Sequence, residues 1–109
     1  PLPITGTVTA SFTRRMNAIY ARRRDVLVDG LRKAGWDARA QKGTFYLWVP
    51  VLDGYDSTET AARLLREAGI VTTPGVGFGR MGEGFVRMTV TVGETRIREA
   101  VRRIARMRW

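Results

Sequence analysis

Apolar residues recur at intervals of three and four positions through the first third of the chain, which predicts an amphipathic helix. The helix is expected to begin at Ser11 or Arg14 and to end at Ala34. Gly35 follows it and can adopt the left-handed conformation that terminates helices. The apolar stripe of this helix comprises Met16, Ile19, Tyr20, Leu27, Leu31 and Ala34.

Two further helices follow from the same period. Asp56-Ser-Thr-Glu59 has the pattern of a capping box that opens a helix, and Gly69 closes this helix. Its apolar face comprises Ala61, Leu64, Leu65 and Ala68. The last helix is predicted from about Glu94 to Arg106, with an apolar stripe of Ile97, Ala100, Val101 and Ile104. Acidic residues four positions before basic ones predict the ion pairs Asp29–Lys33, Glu94–Arg98 and Glu99–Arg103.

Alternating apolar and polar positions predict three strands. They are expected at Ala38–Val49, Ile70–Thr73 and Phe85–Val92, and Pro74 stops the second. In the first strand, Tyr46 and Trp48 are expected to point away from the side that carries Phe45, Leu47 and Val49. One face of the third strand carries Val86, Met88, Val90 and Val92. The opposite face carries Phe85, Arg87, Thr89 and Thr91.

The order helix-strand-helix-strand-strand-helix predicts a small α/β domain of the α+β kind. We expect a mixed, mostly antiparallel three-stranded sheet with helices packed on one face, built from a strand-helix-strand unit and a returning antiparallel strand. Residues 1–13 are rich in Pro, Thr and Gly and are predicted to be a linker or mobile tail. The domain is therefore assigned to residues 14–109, the size of one ordinary domain.

Composition narrows the chemistry that the chain can perform. It has no cysteine and no histidine, which removes thiolate chemistry, the commonest general base and the commonest metal ligand. No metal site and no catalytic residue are predicted. No stretch is apolar enough to span a bilayer and the N-terminus has no signal pattern, so a cytoplasmic location is expected.

The formal net charge is +9, from 19 basic and 10 acidic residues, and only Lys33 and Lys42 are lysines. A nucleic-acid or acidic-membrane partner is one explanation. Solvated arginine-rich helix faces, or a missing part of a longer protein that carries the balancing acid, are favoured over it. Either lysine could form a Schiff base, but nothing near them suggests the apolar pocket this needs, so both are assigned to the surface.

The glycine-rich loop contains two weak motifs. Gly77–Gly82 reads G-x-G-x-x-G, but a strand follows instead of the helix that dinucleotide binding requires. Met81–Met88 can be laid over an RNA-recognition signature, but Met81, Glu83 and Met88 replace its basic and aromatic positions. A flexible connection between strands is the favoured interpretation. A basic nucleic-acid-binding module and a stand-alone dimerisation domain remain the alternative functions.

Several segments in the correct order resemble the small C-terminal domain of class I/II pyridoxal-phosphate-dependent aminotransferases, nearest the aspartate and diaminopimelate group. The segments are Tyr20–Leu31, Gly35–Trp36, Lys42–Trp48, Ala61–Ile70, Thr73–Gly79 and Gly82–Met88. The resemblance covers Met16 to Ile104, and no resemblance is found in residues 1–13.

The resemblance implies a specific division of labour. Spacing alone favours a solvated strand arginine at position 87, but the resemblance implies that Arg87 binds the substrate α-carboxylate and that Gly75 and Phe78 line the pocket. The Schiff-base lysine, the phosphate-binding cup and the carboxylate that pairs with the pyridine nitrogen belong to the family's large domain. Pyridoxal phosphate, an amino-acid or 2-oxo-acid substrate and a homodimeric intact enzyme are therefore implied. The chain alone is expected to bind no cofactor and not to transaminate.

Overall fold

The computed structural model describes residues 2–41 and 45–109, with side chains described for 11–41 and 45–109. Within these residues the helices are α1 (Leu2–Lys33), α2 (Ser57–Ala68) and α3 (Glu94–Arg106). The strands are β1 (Tyr46–Pro50), β2 (Thr73–Pro74) and β3 (Phe85–Thr89). Two short 3₁₀ turns, Gly75–Phe78 and Arg80–Gly82, connect β2 to β3. The predicted order of elements is confirmed.

The three strands form one sheet in the order β1-β3-β2, and both neighbours of β3 run antiparallel to it. Strands β1 and β2 therefore run in the same direction, joined through α2, as the predicted topology requires. The register places Trp48 opposite Arg87 on one side and Thr73 opposite Arg87 on the other. Arg87 thus occupies the middle of the sheet.

All three helices pack against one face of this sheet. The strands contribute the buried residues Leu47, Val49, Val86 and Met88, and buried Val90 directly follows β3. The helices contribute Leu27, Val28, Leu31, Leu64, Ile97 and Ile104 to the same core cluster. The predicted fold class is confirmed, because period-two alternation sends the aliphatic side chains of β1 and β3 toward the helices.

Helix α1 is longer than predicted, since it begins at Leu2 and not at Ser11 or Arg14. A helix of 32 residues is about 48 Å long, while the longest dimension of the molecule is 54 Å. Its N-terminal half therefore extends past the sheet, and Phe12 of that half is exposed. Residues 2–13 are helical. Their role as a linker stays a prediction.

The strands are shorter than predicted because regular pairing ends where a partner strand ends. Strand β1 begins at Tyr46, residues 36–41 before it form no strand, and residues 42–44 of the predicted strand lie outside the described residues. Strand β2 comprises only Thr73 and Pro74, the two residues opposite β3, in place of the predicted Ile70–Thr73. Strand β3 ends at Thr89, although Val90 still donates its N–H to the Phe45 carbonyl at 2.8 Å.

Helix α2 begins and ends as its sequence predicts. The Asp56 carboxylate accepts a hydrogen bond from the Glu59 N–H at 2.7 Å, and Gly69 has the left-handed C-cap conformation. The predicted apolar face is wrong at Leu65, which is 55% exposed. Ser57 and Thr60 are buried in its place because their hydroxyls form hydrogen bonds, so the buried face is partly polar.

The predicted ion pairs are all present, at 3.0 Å for Asp29–Lys33, 2.9 Å for Glu94–Arg98 and 3.2 Å for Glu99–Arg103. Glu94 also binds Arg22 across the contact between α1 and α3. Part of the arginine excess is therefore balanced on solvated helix faces, where each pair contributes little. None of the helices in the described part of the chain combines the length and apolarity that crossing a bilayer requires.

The close contact between α1 and α3 gives a prediction about stability. A Cβ at Gly30 would lie 2.8 Å from Cβ and both Cγ atoms of Val101. Gly30→Ala should lower the free energy of unfolding by up to about 2 kcal/mol. Overpacking costs about 1–3 kcal/mol, and the higher helix propensity of alanine offsets about 1 kcal/mol of this loss.

Urea denaturation of the 109-residue chain measures this loss. The loss should shrink in a Val101→Ala background, which removes two of the three crowding atoms. Gly77→Ala is the control, since a Cβ there meets nothing within 4 Å. An equal loss in both backgrounds would show that the helix contact is not the cause.

Candidate functional site

The face of the sheet away from the helices carries Arg87 and three aromatic side chains. The Arg87 guanidinium carbon lies 4.5 Å from the ring centroid of Tyr46 and 4.7 Å from that of Phe78. Trp48 meets Phe78 edge-on, with 5.2 Å between centroids. The Gln41 amide hydrogen-bonds to both the N–H and the carbonyl of Trp48, which fixes that residue at the outer edge of β1. An arginine held by aromatic rings is the most distinctive feature of this face.

Arg87 differs from five of the helix arginines in its partners. Among the residues whose side chains the structure describes, no ion pair includes Arg87. Five other arginines do bind glutamates: Arg22, Arg63, Arg98, Arg102 and Arg103. Attraction between the cation and ring faces is worth about 0.5–1 kcal/mol at exposed sites and leaves the N–H edges of the guanidinium able to donate hydrogen bonds. A planar anion is the partner that this geometry accepts best.

The glycine-rich loop approaches Arg87 because two glycines let its backbone fold closely on itself. A Cβ at Gly75 would overlap the carbonyl oxygen of Gly82, and a Cβ at Gly82 would overlap that of Gly75. Gly75 is buried in this contact. The loop is therefore a pair of 3₁₀ turns whose backbones meet at Gly75 and Gly82, and its flexibility stays a prediction. The turn Gly75–Phe78 ends with the ring that contacts Arg87.

Glu83 fastens this loop to the start of α2. Its carboxylate accepts hydrogen bonds from the Ser57 N–H at 2.9 Å, from the Ser57 hydroxyl at 3.1 Å and from the Gly84 N–H. The Val76 N–H in turn reaches the Ser57 hydroxyl oxygen at 3.4 Å. We call this set of residues, Ser57, Val76, Glu83 and Gly84, the loop clasp. The backbone hydrogen bond from Ser57, then that from Gly84, hold the pKa of the Glu83 carboxyl below its ordinary value.

The structure places the three predicted site residues in or beside this loop. Arg87 and Phe78 touch, and Gly75 forms the close backbone contact without reaching the guanidinium in any recorded contact. Their roles in carboxylate binding and pocket lining stay predictions. Glu83 was not predicted as a site residue, because an acidic residue in a glycine-rich loop carries no local signal of the helix start that it contacts. The contact of Tyr46 with Arg87 was not predicted either.

Other candidates from the sequence find no support in this geometry. Met88 is 5% exposed and lies in the core, so it cannot stack a base as the RNA-recognition signature requires. Glu83 is held in the loop clasp, at the other position where that signature needs an aromatic ring. Lys33 is exposed on α1 and pairs with Asp29, while Lys42 lies outside the described residues.

A cavity of about 410 Å³ lies elsewhere, between α3 and residues 69–72. Its lining is mostly apolar, and its charged members are Arg96, Glu99 and Arg103. Glu99 and Arg103 already bind each other at 3.2 Å. The cavity includes neither Arg87 nor Phe78, so the candidate site is assigned to the helix-free face of the sheet.

Comparison with known proteins gives a consistent result. The profile of the family "Aminotransferase class I and II" matches residues 5–104. An LL-diaminopimelate aminotransferase of Halothermothrix orenii is 48% identical over 90 residues, 83% of this chain and 23% of the relative. Its counterpart in Nitratidesulfovibrio vulgaris is 46% identical over 96 residues, 88% of this chain and 25% of the relative. The matched range begins inside residues 1–13, where the sequence analysis found no resemblance.

Solved structures agree with the relatives. An aspartate aminotransferase variant of Thermus thermophilus superposes with a TM-score of 0.85 at 33% identity, over 94% of this chain and 28% of its own. An aromatic aminotransferase of Pyrococcus horikoshii superposes with a TM-score of 0.84 at 31% identity, and the match covers 88% of this chain and 26% of the aminotransferase. The chain thus spans about a quarter of the length of the proteins that it matches.

The loop clasp gives a prediction about pH. The folded-state pKa of Glu83 lies below its ordinary value of 4.5, so the ionised carboxylate stabilises the fold above that pH. This contribution is lost as the pH falls through the lowered pKa. Glu83→Gln should therefore lower the free energy of unfolding at pH 7, and the difference from the parent chain should narrow toward pH 3.

Urea denaturation between pH 7 and pH 3 measures the loss in the free energy of unfolding at pH 7 and the change of this loss with pH. Glu59→Gln is the matched control, because it removes the same charge near the start of α2 from a carboxylate outside the loop clasp. If the difference in free energy of unfolding between Glu83→Gln and the parent chain stays constant over this range, the ionised Glu83 carboxylate is not what stabilises the fold.

Proposed function

The chain belongs to the class I and II aminotransferase family, and from this premise we propose that Arg87 binds the α-carboxylate of an amino-acid or 2-oxo-acid substrate in the intact enzyme. The observation that carries the proposal is the position of Arg87. Its guanidinium lies on the helix-free face, between β1 and the glycine-rich loop, with ring contacts and no ion pair among the described side chains.

Arginine suits this role for a physical reason. Its planar fork donates two parallel hydrogen bonds to a carboxylate, whereas lysine offers a single point charge. The rings of Tyr46 and Phe78 restrict the guanidinium before any ligand arrives, which reduces the entropy lost on binding. The name of the curated relatives, LL-diaminopimelate aminotransferase, supports an α-amino acid as the substrate class.

The cofactor belongs, in this proposal, to a larger domain outside the chain. Pyridoxal phosphate would supply the electron sink for moving an amino group between an amino acid and a 2-oxo acid. The described residues do not fit it, since Lys33 is exposed and its ammonium lies 3.0 Å from the Asp29 carboxylate. A Schiff-base lysine needs an apolar, water-poor pocket. We therefore propose that the chain supplies the substrate clamp, while a cofactor-bearing domain of a homodimeric enzyme supplies the chemistry.

The carboxylate clamp predicts a specific loss in a charge-conserving variant. Acetate added to the 109-residue chain should shift the amide resonances of Phe78 and Arg87 saturably, and increasing salt should weaken the binding because the site is partly exposed. Arg87→Lys should weaken acetate binding about fivefold, equivalent to about 1 kcal/mol.

Titrations followed by ¹⁵N–¹H NMR give the dissociation constants. Arg106→Lys, in the last turn of α3, is the matched control and should bind acetate as the parent chain does. Equal weakening in both variants would indicate nonspecific attraction by the net charge.

The division of labour predicts that this chain is inactive alone. Mixing it with pyridoxal phosphate should produce no lysine-linked absorbance, and adding an amino acid and a 2-oxo acid should give no amino transfer. Absorbance spectra and chromatography of the amino acids measure these two outcomes. A stable adduct at Lys33 or Lys42, together with turnover, would overturn the proposal.

A further inference from the structure

We propose that Glu83 is a positioning residue that fixes Arg87 indirectly, by fastening the glycine-rich loop so that the Phe78 ring rests against the guanidinium. The inference rests on the proposed function for its significance, because a fixed guanidinium matters only if Arg87 binds a carboxylate. The geometry itself can be tested independently of that function.

The glycine-rich loop is attached to the start of α2 at both of its ends. Glu83 accepts two hydrogen bonds from Ser57, the first residue of α2, and Ser57 is fully buried. The Ser57 hydroxyl oxygen also accepts the hydrogen bond from Val76. One buried serine therefore holds both ends of the loop: residue 76, after β2, and residue 83, before β3. A carboxylate is suited to this task because it is only an acceptor and its charge strengthens each hydrogen bond.

This attachment lies close along the chain to the Phe78 ring. Val76 and Phe78 belong to one 3₁₀ turn, which the Gly79 N–H closes by donating to the Val76 carbonyl at 3.0 Å. Holding Val76 therefore limits where the Phe78 ring can lie. Phe78 is 51% exposed, and its ring contacts Trp48 and Arg87. We expect the ring to move away from the guanidinium when the loop clasp is removed.

The position of the Phe78 ring in turn affects Arg87. The guanidinium has two ring contacts, with Tyr46 on the rigid sheet and with Phe78 on the loop. The Tyr46 contact is set by the pairing of β1 with β3, whereas the Phe78 contact depends on the loop clasp. Loss of Glu83 should therefore release one side of the guanidinium and leave the sheet unchanged.

The test compares Glu83→Ala with Glu59→Ala, which removes an exposed carboxylate near the same helix start. The readout is the Nε–Hε resonance of Arg87 in ¹⁵N–¹H spectra of the 109-residue chain, which ring faces shift upfield relative to the exposed Arg106. Glu83→Ala should move this resonance in the same direction as Phe78→Ala does, by at least half as much. Glu59→Ala should leave it in place.

The consequence for binding is measured with acetate. Both Glu83→Ala and Phe78→Ala should weaken acetate binding about two- to fivefold, the size of one exposed cation–ring contact. The amide resonances of Val86 and Met88 should stay in place, since these residues belong to the core. A general loosening of the fold would move them and would contradict a positioning role.

Each remaining outcome is decisive. An Arg87 resonance that does not move in Glu83→Ala overturns the inference, whatever acetate does. If the parent chain binds no acetate but the resonance moves as expected, the positioning role stands and the carboxylate clamp fails. If Glu83→Ala does not fold, Glu83→Gln replaces it. This variant keeps one acceptor oxygen and should shift the Arg87 resonance in the same direction by a smaller amount. The absence of any shift in Glu83→Gln would overturn the inference.

Discussion

The structure depends on one constraint: three helices cover one face of a three-stranded sheet and leave the other face open. Period-two alternation in β3 then separates Val86 and Met88, which must be buried, from Arg87, which cannot be buried unpaired at acceptable cost. The same alternation in β1 sends Leu47 toward the helices and Trp48 to the open face. The position of the arginine is therefore a consequence of burying Val86 and Met88 on either side of it. The alternation that buries the core side chains therefore also places the side chains of the site on the open face.

Aromatic rings and a glycine-rich loop turn this open face into a site. A lone arginine on a strand would sample many rotamers and be screened by water. Here Tyr46 from the sheet and Phe78 from the loop restrict the guanidinium while its donors remain available. The loop reaches the sheet only because Gly75 and Gly82 allow two backbones to touch. Within the sequence that resembles a phosphate-binding motif, Gly82 serves backbone packing against Gly75, and the Glu83 carboxylate that follows it attaches the loop to α2.

The arginine excess has two different structural meanings. On α3, arginines pair with glutamates one turn away, and these weak pairs mainly keep the helix surface charged and solvated. On the sheet, Arg87 has aromatic contacts and no glutamate partner among the described side chains. Net charge alone would have grouped these residues together. Geometry separates them, because Arg87 combines two ring contacts with no ion pair among the described side chains, whereas Arg63 also contacts two rings but pairs with Glu67.

Local rules in the sequence determined the type and order of the elements, the cap of Asp56 on Glu59 and the outward direction of Arg87. Each depends on residues within about four positions of each other, or on strict alternation along one strand, so no knowledge of the remaining fold is needed. The full extent of α1, the exposure of Leu65 and the contact of Glu83 with Ser57, 26 positions away, were decided only by the tertiary structure. These features depend on which surfaces meet in space, and local periodicity carries no information about distant partners.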